Sequence, residues 1–283
     1  MIRKGCLLSL LVILTIVGAE AQSPKLIIRG DDMGFSHSGN LALIKSCKEG
    51  IVQSIELLVP SPWFPEAVKL LKENPGVDVG IHLSLSSEWE NIKWRPLTDC
   101  PSLKDANGYF YPMIFPNKNY PGQSLSENKW VLAEIEKEFR AQIETGISNV
   151  PRISHLSAHM GCTGLSPDVQ ELTKKLATEY GLLYDLHPYA VNSITYDGPH
   201  TTYAEKVSSF LKMLAKMEPG KTYLFLDHPG LDNEELRAIY HIGYENVATD
   251  RQGVTDLFTS EKIRKAITEK GIQLLSYKML GEN

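Results

Sequence analysis

The sequence predicts a single α/β domain built as a (β/α) barrel, regular or incomplete, with seven to eight strands. Three observations point there. From Lys25 onward, short β-rich runs alternate with longer amphipathic ones, the signature of parallel strands joined by helical crossovers. No Pro/Ser-rich linker, charge run, low-complexity stretch or fixed-period repeat divides the chain. The 283 residues, 42% hydrophobic and 22% charged, are enough to bury one continuous core. An open doubly wound sheet is the competing architecture, and in both the active site forms at the carboxyl ends of the strands.

Strands are predicted at residues 26–29, 51–59, 77–85, 152–156, 182–186, 222–227 and 272–277, with an eighth around 245–250. The first helix is expected from Ser38 as N-cap to just before Gly50, since serine caps and glycine terminates. Further helices are expected near 65–73, 127–145, 167–180, 204–217 and 261–270. Residues 86–126 have weak periodicity and many Pro, Asn, Gly and aromatic residues, so they read as an inserted loop over the active face.

The N-terminus has a different character. Arg3 and Lys4 precede the apolar run 7–17, and Ala19-Glu20-Ala21 supplies the small-x-small pattern of a cleavage site. Residues 1–21 therefore read as a signal peptide cut before Gln22, leaving 22–283 as an exported domain, periplasmic or secreted. The apolar run is shorter than the roughly 20 residues that span a bilayer, so no stable membrane insertion is expected after cleavage. The mature chain keeps 27 Lys+Arg and 33 Asp+Glu, a net charge of −6. Without a basic cluster, this balance argues against nucleic acid as partner. Cys47, Cys100 and Cys162, an odd number at wide spacing, do not form a disulfide framework.

Four predicted strand ends carry chemistry. Asp31-Asp32 follows the first strand; adjacent carboxylates repel, and either a cation or a turn and cap role accommodates them. His82, in Gly80-Ile81-His82-Leu83, faces away from the aliphatic side of its strand, as a ligand or as a hydrogen-bonded core residue. His155 and His159 share a face if the chain is extended there, and Pro151, Gly161 and Gly164 disfavour a helix. Cys162 is either a soft ligand or, more simply, a small buried hydrophobe. Asp227-His228-Pro229-Gly230 ends another strand with His228 at the rim. Packing explains any one of these residues, but it does not explain an acid or histidine at the same end of four strands.

Asp31-Asp32-Met33-Gly34, Gly80-Ile81-His82-Leu83, His155 to His159 and His228-Pro229-Gly230 follow, in order, the motif series of the YdjC/ChbG carbohydrate deacetylases, which the chain resembles from about residue 25 to 278. The resemblance implies a barrel-like fold, one divalent metal ion, and hydrolysis of acetyl groups from N-acetylated mono- or oligosaccharides by metal-activated water. By motif position it implies Asp32, His82 and His159 as metal ligands and Asp31 as catalytic base. His228, by its position, is expected to donate a proton to the departing amine. Zinc suits two imidazoles, while magnesium or manganese is compatible with a mixed N/O site. The chain departs from the group's pattern in having Ser157 where an aspartate is common, and Met160-Gly161-Cys162 where further histidines often follow. A non-catalytic sugar-binding protein of the same fold, and a glycoside hydrolase using Asp31 and Asp32, are the competing functions. Trp63, Trp89, Trp94, Tyr109 and Tyr111 are candidates to stack on sugar rings.

Overall fold

The computed structural model describes residues 22–281. The expected signal peptide, residues 1–21, lies outside the described residues. Strand β1 (Lys25–Met33) is buried along its length apart from Lys25 and occupies the middle of a parallel sheet. One edge of β1 pairs with β6 (Thr222–Asp227), from Lys25 opposite Thr222 to Gly30 opposite Asp227. Two strands share the other edge. β7 (Gln273–Leu275) takes Lys25 to Ile27, and β2 (Ser54–Leu57) takes Arg29 to Met33. Beyond β2 lie β3 (Asp78–Leu83) and β4 (Ile153–Ala158), and beyond β6 lies β5 (Val191–Ser193). The sheet curls into a seven-stranded half-barrel, the incomplete form of the expected architecture.

Two expected strands are corrected. Residues 182–186 contribute a single parallel bridge, from Leu183 to His155. Asp185 ends the extension there, because its carboxylate accepts the backbone N–H of His187 at 3.0 Å and turns the chain. Residues 245–250 are no strand either; they lead into helix α7 (Val247–Phe258). Its buried Val247, Ala248, Arg251, Val254, Thr255 and Phe258 recur at helical spacing, a pattern the short Val-Ala-Thr start conceals.

The crossover helices pack outside the sheet. Helix α1 (His37–Lys48) is capped by Ser36, whose hydroxyl accepts from Gly39 N at 2.9 Å, two residues earlier than expected. Ser38 is instead tied to Glu235 and Asn233. Helices α2 (Phe64–Glu73), α4 (Pro167–Tyr180), α5 (Tyr203–Ala215) and α8 (Glu261–Glu269) fall close to their predicted spans. Helix α3 (Leu132–Asn149) starts later than predicted, since Ser124 and Glu127 close a separate capped 3-10 turn. Short helices α6 (Glu234–Arg237) and α9 (Tyr277–Gly281) complete the described residues. No helix among these residues is long and apolar enough to cross a membrane. Cys47, Cys100 and Cys162 are all free thiols.

The inserted loop is ordered by its own core, with Trp89, Trp94, Leu103, Phe110 and Ile114 all buried. Buried Glu138 of α3 pins it, accepting from Leu97 N and Thr98 N at 3.0 Å each and from the Thr98 hydroxyl at 2.8 Å.

Gly80 shows how tightly the sheet is packed below the strand ends. A Cβ there would meet the His155 imidazole and, at 2.7 Å, Glu56 Oε2. His155 cannot swing away, because its ring stacks on Tyr277 with centroids 3.8 Å apart and planes within 4°. Gly80→Ala is therefore expected to cost about 1–3 kcal/mol of stability. Urea unfolding checks this; an unshifted midpoint would show that the pocket relaxes freely.

Candidate active site

The carboxyl ends of β1, β3, β4 and β6 meet around a cavity of about 550 Å³. Neighbouring residues of a regular strand point to opposite faces, yet Asp31 and Asp32 both line this cavity. The pairing of β1 with β2 shifts register between Gly30 and Met33, and Asp32 has φ +71°, in the left-handed region. That conformation costs a non-glycine residue about 1–2 kcal/mol, and the bulge delivers two adjacent carboxylates to one side.

The geometry separates the two aspartates. Arg29 holds Asp31 with two parallel hydrogen bonds, Nε to Oδ1 at 2.7 Å and Nη2 to Oδ2 at 2.8 Å. Asp32 receives Arg251 Nη2 on Oδ2 at 2.9 Å. Its Oδ1 is buried with no hydrogen-bond partner, although His159 Nδ1 lies 3.1 Å and His82 Nε2 3.6 Å away. One atom each from Asp32, His82 and His159 lies within 4.8 Å of the others. His228 Nε2 sits 3.9 Å from Asp32 Oδ2, on a side chain still partly open to solvent.

Each imidazole is oriented from behind. His82 Nδ1 lies 2.7 Å from the Ser157 hydroxyl, and His159 Nε2 lies 3.0 Å from the buried carboxylate of Glu88. Both therefore turn their other ring nitrogen toward Asp32, the arrangement in which metal-binding histidines are held. An orphaned carboxylate oxygen between two such nitrogens is a donor set that fits a divalent cation.

Charge and burial set the protonation states. Burial pushes His82 down to about 4, leaving a neutral imidazole at pH 7. Burial also opposes charging of His159, but Glu88 and Asp32 outweigh it and lift His159 to about 10, so a cation at Nδ1 displaces a proton. Asp32 resists the upward push of burial because His228, His159 and Arg251 hold it well below the usual carboxylate range. For His228, burial is outweighed by the charge of Asp32 and the hydrogen bond to Asp227, which raise it.

Of the residues singled out in the sequence, Asp31, Asp32, His82, His159 and His228 come together. His155 does not join them. It lies deeper in the sheet, with Nε2 2.6 Å from Glu56 Oε1, because it stands four residues before His159, which falls just past the end of β4 as expected and opens a 3-10 turn (His159–Gly164). Cys162 is a buried thiol donating to Leu83 O at 3.1 Å, pushed up to about 12 by burial. Of the five expected stacking aromatics, Trp89 lines the cavity. Trp94 is buried behind His159, Trp63 packs on His37, Tyr109 lies under Arg95 and Tyr111 joins the core.

Several site residues escaped the sequence reading. Arg251, on the helix mistaken for a strand, lies over Phe35 and Trp89 at 4.6 and 5.1 Å from their ring centres. Tyr196 donates to Asp227 Oδ2 at 2.8 Å and Tyr244 to Asp250 Oδ2 at 2.6 Å, while Lys206 Nζ pairs with Asp250 Oδ1 at 2.8 Å. Glu88 is hidden in the irregular loop. Glu56 did leave a signal, as a lone acid inside an apolar strand.

Comparison with known proteins places this arrangement. "Carbohydrate deacetylase 1" of Listeria innocua serovar 6a is 27% identical over 263 residues, 90% of this chain and 100% of the relative. A carbohydrate deacetylase of Brevibacillus brevis is 27% identical over 270 residues, covering 91% and 100%. Among solved structures, a protein of Enterococcus faecalis V583, provisionally described as a cellobiose-phosphate cleavage protein, superposes with a TM-score of 0.72 at 22% identity, covering 92% of this chain and 99% of that one. That likeness shows a shared fold. The profile of the YdjC-like proteins matches residues 25–269, a span that takes in all four strand ends around the cavity, and the chain belongs to that family.

Proposed function

We propose that this protein is an exported, metal-dependent carbohydrate deacetylase that hydrolyses acetyl groups from N-acetylated mono- or oligosaccharides. The observation that carries the reading is the buried trio Asp32, His82 and His159, with ligand atoms within 4.8 Å of one another and Asp31 beside it in the same cavity. Full-length relatives named carbohydrate deacetylases support the substrate class, and the basic, apolar and small-residue series of residues 1–21 supports export.

Asp32, His82 and His159 would hold the ion, and two imidazoles with one carboxylate suit zinc best, with manganese or magnesium compatible. Bound there, the ion would supply Lewis acidity to a water and to the acetyl oxygen. Asp31, fixed by Arg29, accepts the proton of the attacking water. His228, whose protonated form is favoured by the charge of Asp32 and the hydrogen bond to Asp227, gives a proton to the sugar nitrogen as the C–N bond breaks. Tyr196, His241 and Tyr244 wall the cavity and offer aromatic surface to a sugar, with Trp89 buried against His241 and Tyr244.

The test is acetate release from a panel of N-acetylated mono- and oligosaccharides, before chelation, after it, and after return of zinc, manganese or magnesium. The expected result is a loss of more than about 100-fold on chelation with recovery on adding one of the three. Undiminished release from the chelated, metal-free protein would overturn metal dependence. Tight sugar binding with no release from any substrate would replace the deacetylase with a sugar-binding protein.

A further inference from the structure

Behind His82 lies a buried chain of hydrogen bonds that the chemistry above does not use. Glu56, in the middle of β2, is fully buried. Its Oε2 accepts a very short hydrogen bond from the Ser157 hydroxyl, and its Oε1 lies 2.6 Å from His155 Nε2. Ser157 Oγ in turn lies 2.7 Å from His82 Nδ1.

Proton counting fixes the direction of this chain. A serine hydroxyl has one hydrogen. Ser157 gives it to Glu56, so toward His82 it can only accept, and His82 Nδ1 must carry a hydrogen. A neutral imidazole with hydrogen on Nδ1 has its lone pair on Nε2. Nε2 faces Asp31 Oδ2 at 3.9 Å and Asp32 Oδ1 at 3.6 Å, both too far for a hydrogen bond. The opposite tautomer would therefore bury an unsatisfied N–H at Nε2 and leave Ser157 without a donor.

We infer that Glu56 is a positioning residue which, acting through Ser157, fixes the tautomer and orientation of His82 so that its Nε2 lone pair is presented to the cation site. The inference deepens the proposed metal site and rests on it for its consequence, but the tautomer itself is a property of the protein alone. Glu56 is suited to the task because it is anchored independently. Arg29 Nε lies 3.7 Å from Oε1, His155 is stacked on Tyr277, and the missing side chain of Gly80 leaves room for both groups. A carboxylate locked in this way aims the serine hydroxyl, and the serine aims the ring.

Two measurements test it. Nitrogen-15 spectra of the histidines in the metal-free protein are expected to show His82 protonated on Nδ1. In Ser157→Ala and Glu56→Gln the same signal is expected to shift toward the other tautomer. Zinc titration against a competing chelator is expected to show affinity about 10- to 100-fold weaker in both variants. In Glu56→Gln combined with Ser157→Asp, which moves the carboxylate next to His82, affinity is expected to return to within a few-fold of the starting protein. A purely structural role for Glu56 would not predict that rescue. An Nε2-protonated His82 in the unaltered protein, or unchanged tautomer and affinity in Ser157→Ala, would overturn the inference. Should the unaltered protein bind no zinc, manganese or magnesium, the proposed function fails, and the tautomer spectra still decide the role of Glu56.

Discussion

Asp31→Asn is expected to lower acetate release by about 10²–10⁴-fold, the contribution typical of a positioned general base. Asparagine has nearly the same shape, but its amide does not take a proton from water at neutral pH. The effect should fall on turnover and spare the metal, because Asp31 is not one of the three side chains gathered at the cation site. Arg29 would keep one acceptor on residue 31 and its hydrogen bond to the Tyr277 hydroxyl at 3.0 Å, so the variant should fold. Bound metal measured by elemental analysis, with acetate release measured alongside, checks both parts. Full metal with near-normal turnover would move the base to another group. Loss of metal together with activity would make Asp31 a ligand.

Arg251→Leu is expected to have the largest effect on stability. Arg251 and Asp32 are a buried pair, 4% and 1% exposed, and removing one partner of such a pair typically costs about 3–5 kcal/mol. Leucine preserves apolar contact with Phe35 and Trp89 but leaves the Asp32 carboxylate without its guanidinium. A divalent cation bound to Asp32 would restore the missing positive charge, so added zinc should recover more stability in the variant than in the parent. Denaturant unfolding with and without zinc reads this directly. Equal stabilisation of both proteins would show that the cation and Arg251 do not share Asp32.

Most of the site was legible because its residues sit at the ends of parallel strands, where sequence pattern and geometry coincide. Asp31, Asp32, His82 and His228 each follow an apolar run, and one face of the sheet collects them. The role of His155 was not legible because its partner, Glu56, comes from another strand, and its place four residues below His159 on β4 keeps it out of the cavity. The supporting residues were hidden for a different reason. Glu88 lies in a loop without periodicity, and Arg251 is one turn into a helix whose first residues have the β-branched character of a strand. Their partners are set by tertiary packing, over separations of 71 residues for Glu88 with His159 and 219 for Arg251 with Asp32.

The place of β1 in the sheet bears on how the molecule is made. It is the first strand of the described chain, yet one whole edge of it is satisfied by β6 and part of the other by β7, about 200 and 250 residues later. Closing loops of that length delays the rewarding contacts, so topologies dominated by them fold slowly. A nascent chain that ends before residue 222 holds Asp31 and Asp32 on a strand with one edge unpaired, and such edges invite wrong pairings. Asp31, Asp32 and this late-closing pairing thus lie on the same strand. The three side chains gathered at the candidate cation site all lie before residue 160, but the strand that carries Asp32 gains its second paired edge only once residues 222–227 have been made.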